Sequence, residues 1–180
     1  MPFFLFNQDN HVLQMGFRLF IFPALLIGMI LSSCRHPLLT TPEIPTGGLN
    51  SKSPEEYPTY SGDGRFLAFA SERQGHRDIY LFDLQQKRLV SLPNLNRRDS
   101  SQDQPALSFD GRYLVYVSTE RGKSDIMVYD RNQQRSTLLT ANVRGSVRQP
   151  TITGDGSQVA FQTSQLGEWN IAIVDYQTSP

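Results

Sequence analysis

"YSGDGRFLAFASERQGHRDIYLFD", residues Tyr60 to Asp83, returns twice along the chain. It comes back as "LSFDGRYLVYVSTERGKSDIMVYD" at Leu107 to Asp130 and as "ITGDGSQVAFQTSQLGEWNIAIVD" at Ile152 to Asp175, spacings of 47 and 45 residues (60 to 107 to 152). Each copy carries an Asp-Gly pair, at Asp63-Gly64, Asp110-Gly111 and Asp155-Gly156. Asp and Gly tolerate the positive φ that a tight hairpin turn demands, so each pair is read as a structural turn. A Pro-led extended stretch precedes each turn ("YPTY", "QPALSF", "QPTIT") and an apolar strand follows it ("FLAFA", "YLVYV", "VAF"). Eleven residues after each turn glycine stands another, Gly75, Gly122 and Gly167, and then a third strand: "DIYLFD", "DIMVYD", "NIAIVD". The first two copies add a fourth strand, "KRLVSL" and "RSTLL".

The second and third strands are almost solidly apolar. A sheet with one wet face alternates in and out, whereas a strand covered on both faces reads as a continuous run. These strands are hairpin-linked and hence antiparallel, so each small sheet needs another packed on either side. Face-to-face stacking of four-stranded units at this period is the arrangement of propeller blades. An immunoglobulin-like sandwich also has short strands and frequent turns, but has no reason to repeat turn, glycine and strand in fixed register. The expected fold is all-β: three four-stranded blades at about 57–103, 104–148 and 149–180, the last one incomplete.

At these three copies the chain resembles the TolB-type propeller repeat of bacterial envelope proteins, which runs Pro, two residues, Ser-Pro-Asp-Gly, a strand with an aromatic, then Asp-Ile-Tyr and an aspartate. The proline of that turn is replaced here by Gly62, Phe109 and Gly154, and the Trp-Asp signature of another propeller class is absent. The resemblance implies a bacterial envelope protein. It does not by itself imply one function, since such blades also occur in peptidase propellers. TolB itself has six blades and a preceding α/β domain, so the resemblance concerns the repeat.

The front of the chain reads as an address. Leu19 to Leu31 is an uncharged run of thirteen, preceded by Arg18 and closed by Leu31-Ser32-Ser33-Cys34. A spanning helix needs about 20 apolar residues, while positive charge, short apolar run and small residues in that order describe a secretory signal. The ending resembles the bacterial lipobox, which implies that Cys34 is lipidated. We expect a signal peptide over 1–33, with Met15 an alternative start, and a Pro-rich tether over 34–56. An ordinary cleaved signal and an uncleaved anchor are the alternatives. Arg35 after the cysteine favours the outer membrane over the inner one, so the expected location is the periplasmic side of the envelope.

Composition narrows the chemistry. Seventeen basic and seventeen acidic side chains balance, which gives bulk attraction to nucleic acid no support. One cysteine and three histidines supply no metal set. No catalytic residue, metal or cofactor is expected. His76, the one histidine within the repeats, lies in a turn without counterparts, and Asp83, Asp130 and Asp175 read as strand-closing turn formers. Successive connections in a blade alternate between two faces, and one face collects Arg73, Arg97, Arg98, Arg121, Arg144 and Arg148. These form the candidate binding face, for an anionic protein surface or envelope polymer. The expectation is a non-catalytic binding module; an accessory propeller for a separate hydrolase or peptidase, and a degenerate fragment, are the alternatives. Three blades leave two faces to cover. A homodimer completing a six-bladed ring, a strand from "PLLTTPEI" or "TGGLNS", or no closure are the three resolutions.

Overall fold

The structure is a computed structural model in which residues 48–176 are described. The apolar run, Cys34 and the tether as far as residue 47 lie outside the described residues.

Three antiparallel sheets account for every strand of the described residues. The first blade is β1 (Glu55–Tyr60), β2 (Phe66–Ser71), β3 (Asp78–Asp83) and β4 (Arg88–Val90). The second is β5 (Gln102–Leu107), β6 (Tyr113–Ser118), β7 (Asp125–Asp130) and β8 (Arg135–Leu138), and the third is β9 (Val147–Ile152), β10 (Gln158–Thr163) and β11 (Asn170–Asp175). Each blade begins two residues ahead of the boundary expected from sequence. In each sheet the strands lie in chain order, joined by hairpins.

The Asp-Gly turns form as local chemistry dictates. Asp63 Oδ1 accepts from the Arg65 N–H at 2.9 Å and Ser61 Oγ at 2.5 Å, and Asp110 repeats this with Arg112 and Ser108 at 2.9 Å each. Asp155 does the same with Ser157 N–H at 3.0 Å and Thr153 Oγ1 at 2.6 Å. The glycine that follows takes φ +70°, +67° and +79° in turn.

One feature of the first strands runs against local preference. The residue before each strand proline, Tyr57, Gln104 and Gln149, sits at φ +53°, +51° and +51°. The register of β1 with β2, β5 with β6 and β9 with β10 shifts at this place. Proline has no N–H for the ladder, so it is accommodated at a bulge. A non-glycine residue in this region costs on the order of 1–2 kcal/mol, and surrounding packing has to hold it.

That packing comes from blade stacking. β5 packs beside β1, and β9 beside β5, which puts the first strands together, while β4 and β8 form the opposite margin. Between the first two blades lie Phe66, Ala68, Ala70, Ile79 and Leu81 from one side and Leu114, Tyr116 and Tyr129 from the other. Between the second and third lie Val115, Val117, Ile126 and Val128 against Val159 and Phe161. All six residues of β2 and of β6 are buried, as the solid apolar runs require. Each buried Val, Leu, Ile or Phe among them contributes roughly 1.5–3 kcal/mol.

The two ends of the stack differ. On blade 3, β10 places Val159 and Phe161 toward blade 2 and turns Gln158, Ala160 and Gln162 outward, beside Ile171 and Ile173 of β11, which are 67% and 66% exposed. On blade 1 the corresponding outer face carries Phe69, only 2% exposed. Arg73 spans that face. Its guanidinium lies 5.1 Å from the Phe69 ring centroid and 4.6 Å from that of Tyr80, and donates to Gly48 O, Leu49 O and Glu55.

Candidate binding faces

Strand ends sort the connections onto two faces. One face holds the turns between second and third strands and the blade-to-blade connections; the other holds the Asp-Gly turns and the turns between third and fourth strands.

On the Asp-Gly face the recurring carboxylates are spent internally. Asp83 accepts from Arg65 Nη2 at 3.0 Å and from the N–H groups of Gln85 and Gln86 at 2.9 Å each. Asp130 repeats this with Arg112 at 3.1 Å and Asn132 at 2.8 Å, and Asp175 accepts from Gln158 Nε2 at 2.9 Å. These bonds favour the charged form, so the backbone donors at Asp83 and the Ser61 hydroxyl at Asp63 hold those carboxyls below the usual range. Adjacent blades are also stitched by backbone bonds here: Asp63 N–H donates to Phe109 O at 2.9 Å and Phe109 N–H to Gly154 O at 2.8 Å. The Phe109 side chain, 58% exposed, stands between Gly62 and Gly154.

The opposite face gathers the arginines singled out from sequence, with one placed differently. Arg73 is turned inward, its side chain 10% exposed. Arg98 and Arg144 are exposed. Arg97 is half-exposed and pairs with Glu120 at 2.9 Å, and Arg121 stands 3.7 Å from Asp125. Arg148 stacks on Trp169, 3.9 Å from its ring centroid, and donates to Gln162 at 2.8 Å. Arg77, half-buried, is structural: it bridges blades by pairing with Glu56, Glu72 and, at 2.9 Å, Asp103 of β5.

Sequence reasoning passed over the carboxylates that open the third strands. Asp78 is 6% exposed and Asp125 2%. Their signal was the first letter of "DIYLFD" and "DIMVYD". Asp125 receives Thr140 Oγ1 at 2.8 Å and the Lys123 ammonium. Asp78 lines a cavity of about 390 Å³ with Gln74, His76, Asn96, Arg97 and Arg98, and burial pushes its carboxyl above the usual range. A cavity of about 620 Å³ lies nearby, lined by Arg97, Glu120 and Tyr116, whose hydroxyl burial pushes up to about 12.

Small antiparallel sheets stacked face to face, with first strands together, define a β-propeller architecture. Within that class the chain belongs to the TolB propeller family, since the family described as "TolB beta propeller domain" matches residues 49–180. Among solved structures, TolB from Acinetobacter baumannii is similar with 22% identity and a TM-score of 0.59, over 71% of this chain and 31% of that one. A putative TolB from Agrobacterium tumefaciens gives 24% identity and a TM-score of 0.54, over 64% of this chain and 40% of that one. A puromycin-hydrolyzing peptidase of Mycobacterium tuberculosis gives 18% and 0.52, over 70% of this chain and 20% of that one. The chain thus spans less than half the length of each. No curated protein matches the chain by sequence.

Proposed function

We propose that this chain is a non-catalytic envelope module, held at the periplasmic side of a membrane through Cys34, that offers its arginine-bearing face to an anionic protein or polymer. The observation that carries the reading is the asymmetry between faces. Recurring carboxylates of the Asp-Gly face are consumed by turns and by Arg65, Arg112 and Gln158, while Arg98 and Arg144 stand exposed on the other face and Arg97 and Arg148 stand exposed beside them. Loops on a rigid scaffold are where binding sites are usually placed. Membership of the TolB propeller family supports the envelope setting. Affinity capture with the membrane-bound chain tests the reading. Charge reversal at Arg97, Arg98, Arg144 and Arg148 is expected to lose the captured partners, and an unchanged set of partners overturns it. Cys34→Ser is expected to release the chain from the membrane fraction.

A second copy of the chain is the occupant we assign to the outer face of blade 3, on the strength of exposed Ile171 and Ile173. Closing a six-bladed ring would also require the other end to open, because Phe69 is already 2% exposed beneath Arg73. The native mass of the detergent-solubilised chain tests this, and a monomer ends it.

A further inference from the structure

The internal repeat permits a comparison of one position with itself. In blade 2 one oxygen of the Asp125 carboxylate is well supplied: Oδ1 accepts from Thr140 Oγ1 at 2.8 Å and from the Lys123 ammonium two residues upstream, while Oδ2 lies 3.7 Å from Arg121 Nη1 without a hydrogen bond of its own. In blade 1 each donor is changed. Lys123 is answered by His76 and Arg121 by Gln74. Thr140 is answered by Asn96, whose amide is used up on Ile79, accepting from its N–H at 2.9 Å and donating to its C=O at 2.8 Å. Asp78 is therefore 6% exposed with no hydrogen bond or ion pair among the described residues where it lines a cavity of about 390 Å³; Asp125 lines a cavity of about 380 Å³ in blade 2, but there an ammonium already sits on Oδ1. A carboxylate largely withdrawn from water and without a protein donor is disfavoured unless something that enters the cavity supplies one.

We propose that this cavity binds a small zwitterion, with a primary ammonium donating to Asp78 and an adjacent carboxylate or phosphate facing Arg97 and Arg98. An ammonium offers three rotatable N–H donors, so it reproduces what Lys123 does for Asp125. Among the described residues no three His, Cys, Asp or Glu groups converge, so the slot is not a metal cage. Arg97 and Arg98 line the same cavity, so a purely cationic ligand would meet two guanidinium groups and an adjoining anion relieves that repulsion. The volume suits a molecule of amino-acid to dipeptide size. An amino acid or short peptide and a phosphoethanolamine headgroup share this chemistry.

The test is calorimetric titration of the full chain, in a non-ionic detergent, with glycylglycine, phosphoethanolamine, choline phosphate and acetate. At least one of the two primary-ammonium zwitterions is expected to bind saturably, and whichever binds identifies the source. Choline phosphate, which has no N–H to donate, and acetate are expected to bind at least tenfold more weakly. Asp78→Asn, which keeps the side-chain shape, is expected to weaken binding at least tenfold. His76→Lys gives blade 1 the ammonium of blade 2, and is expected to block binding while raising the melting temperature. Absence of binding by both zwitterions, or binding that survives His76→Lys, overturns the proposal. Asp78→Asn leaves Arg97 and Arg98 in place, so captured macromolecular partners should be unaffected, which separates this site from the reading above.

Discussion

Gly156 lies against the ring of Tyr113 so closely that a Cβ on it would fall 2.4 Å from Cδ2. The same relationship joins Gly111 to Phe66 one blade earlier, at 2.7 Å. The turn glycine of each later blade therefore serves twice, supplying a positive φ and letting the backbone close on the aromatic of its neighbour. Gly64, the equivalent in blade 1, has nothing within 4 Å. Gly64→Ala is expected to cost only the left-handed backbone term, about 1–2 kcal/mol. Gly111→Ala and Gly156→Ala should lose about 1–3 kcal/mol more through overpacking. Urea denaturation of the three variants checks the ordering.

Gly62 and Phe109 are coupled without any backbone strain. A Cβ at Gly62 would come 2.5 Å from Phe109 Cδ2. Gly62→Ala alone should destabilise, and Phe109→Ala should recover part of the loss. A double-mutant cycle is expected to show a coupling of at least about 0.5 kcal/mol; additivity would mean the ring moves aside freely.

Lys123 neutralises a carboxylate that is 2% exposed. Lys123→Ala should cost about 1–3 kcal/mol, since a buried charged acceptor is left with Thr140 and a distant Arg121. His76→Ala at the matching position touches no such bond and should stay within about 0.5 kcal/mol of the parent. Chemical denaturation of both variants makes the comparison.

Asp155 is held at about 2 by the Thr153 hydroxyl, with the Ser157 N–H and hydroxyl adding to it. A folded-state pKa below the unfolded one means that the unfolded chain binds the proton more readily. The turn's contribution is therefore present above the ordinary carboxyl value of 3.8 and is lost as pH falls through about 2. A carboxyl-detected NMR titration should find the Asp155 midpoint near 2, and Asp155→Asn should flatten the stability profile over that window.

Ile126 and Ile171 hold the same place in consecutive third strands, yet are 0% and 67% exposed. Ile126→Ala is expected to cost about 2–5 kcal/mol. Ile171→Ala should change the stability of the isolated chain by less than about 0.5 kcal/mol. Thermal unfolding at low protein concentration measures both.

The blades were legible because their signals are local. Asp-Gly turns, solid apolar runs and the repeat period each follow from a few neighbouring residues, and the strand order of each sheet follows from hairpin linkage. The loop arginines were legible as a face, since loop position alone assigns them to it, but not one by one. Glu120 and Gln165 stand at the place of Arg73 in the next two blades and are exposed, yet Arg73 lies across Phe69 and Tyr80, a placement fixed by what packs at the end of the stack.

The sequence by itself determined that three small sheets form among the described residues, where their strands run to within about two residues and which turns join them, because backbone preference and hydrophobic period act over a few residues. Only the tertiary structure decided that Tyr57, Gln104 and Gln149 adopt positive φ before proline, that Ile171 is bare where Ile126 is covered, and that Asp78 lacks the donors that reach Asp125 Oδ1. Each of those depends on contacts from other strands, loops or a neighbouring blade, and identical letters in a repeat cannot report which neighbours they have.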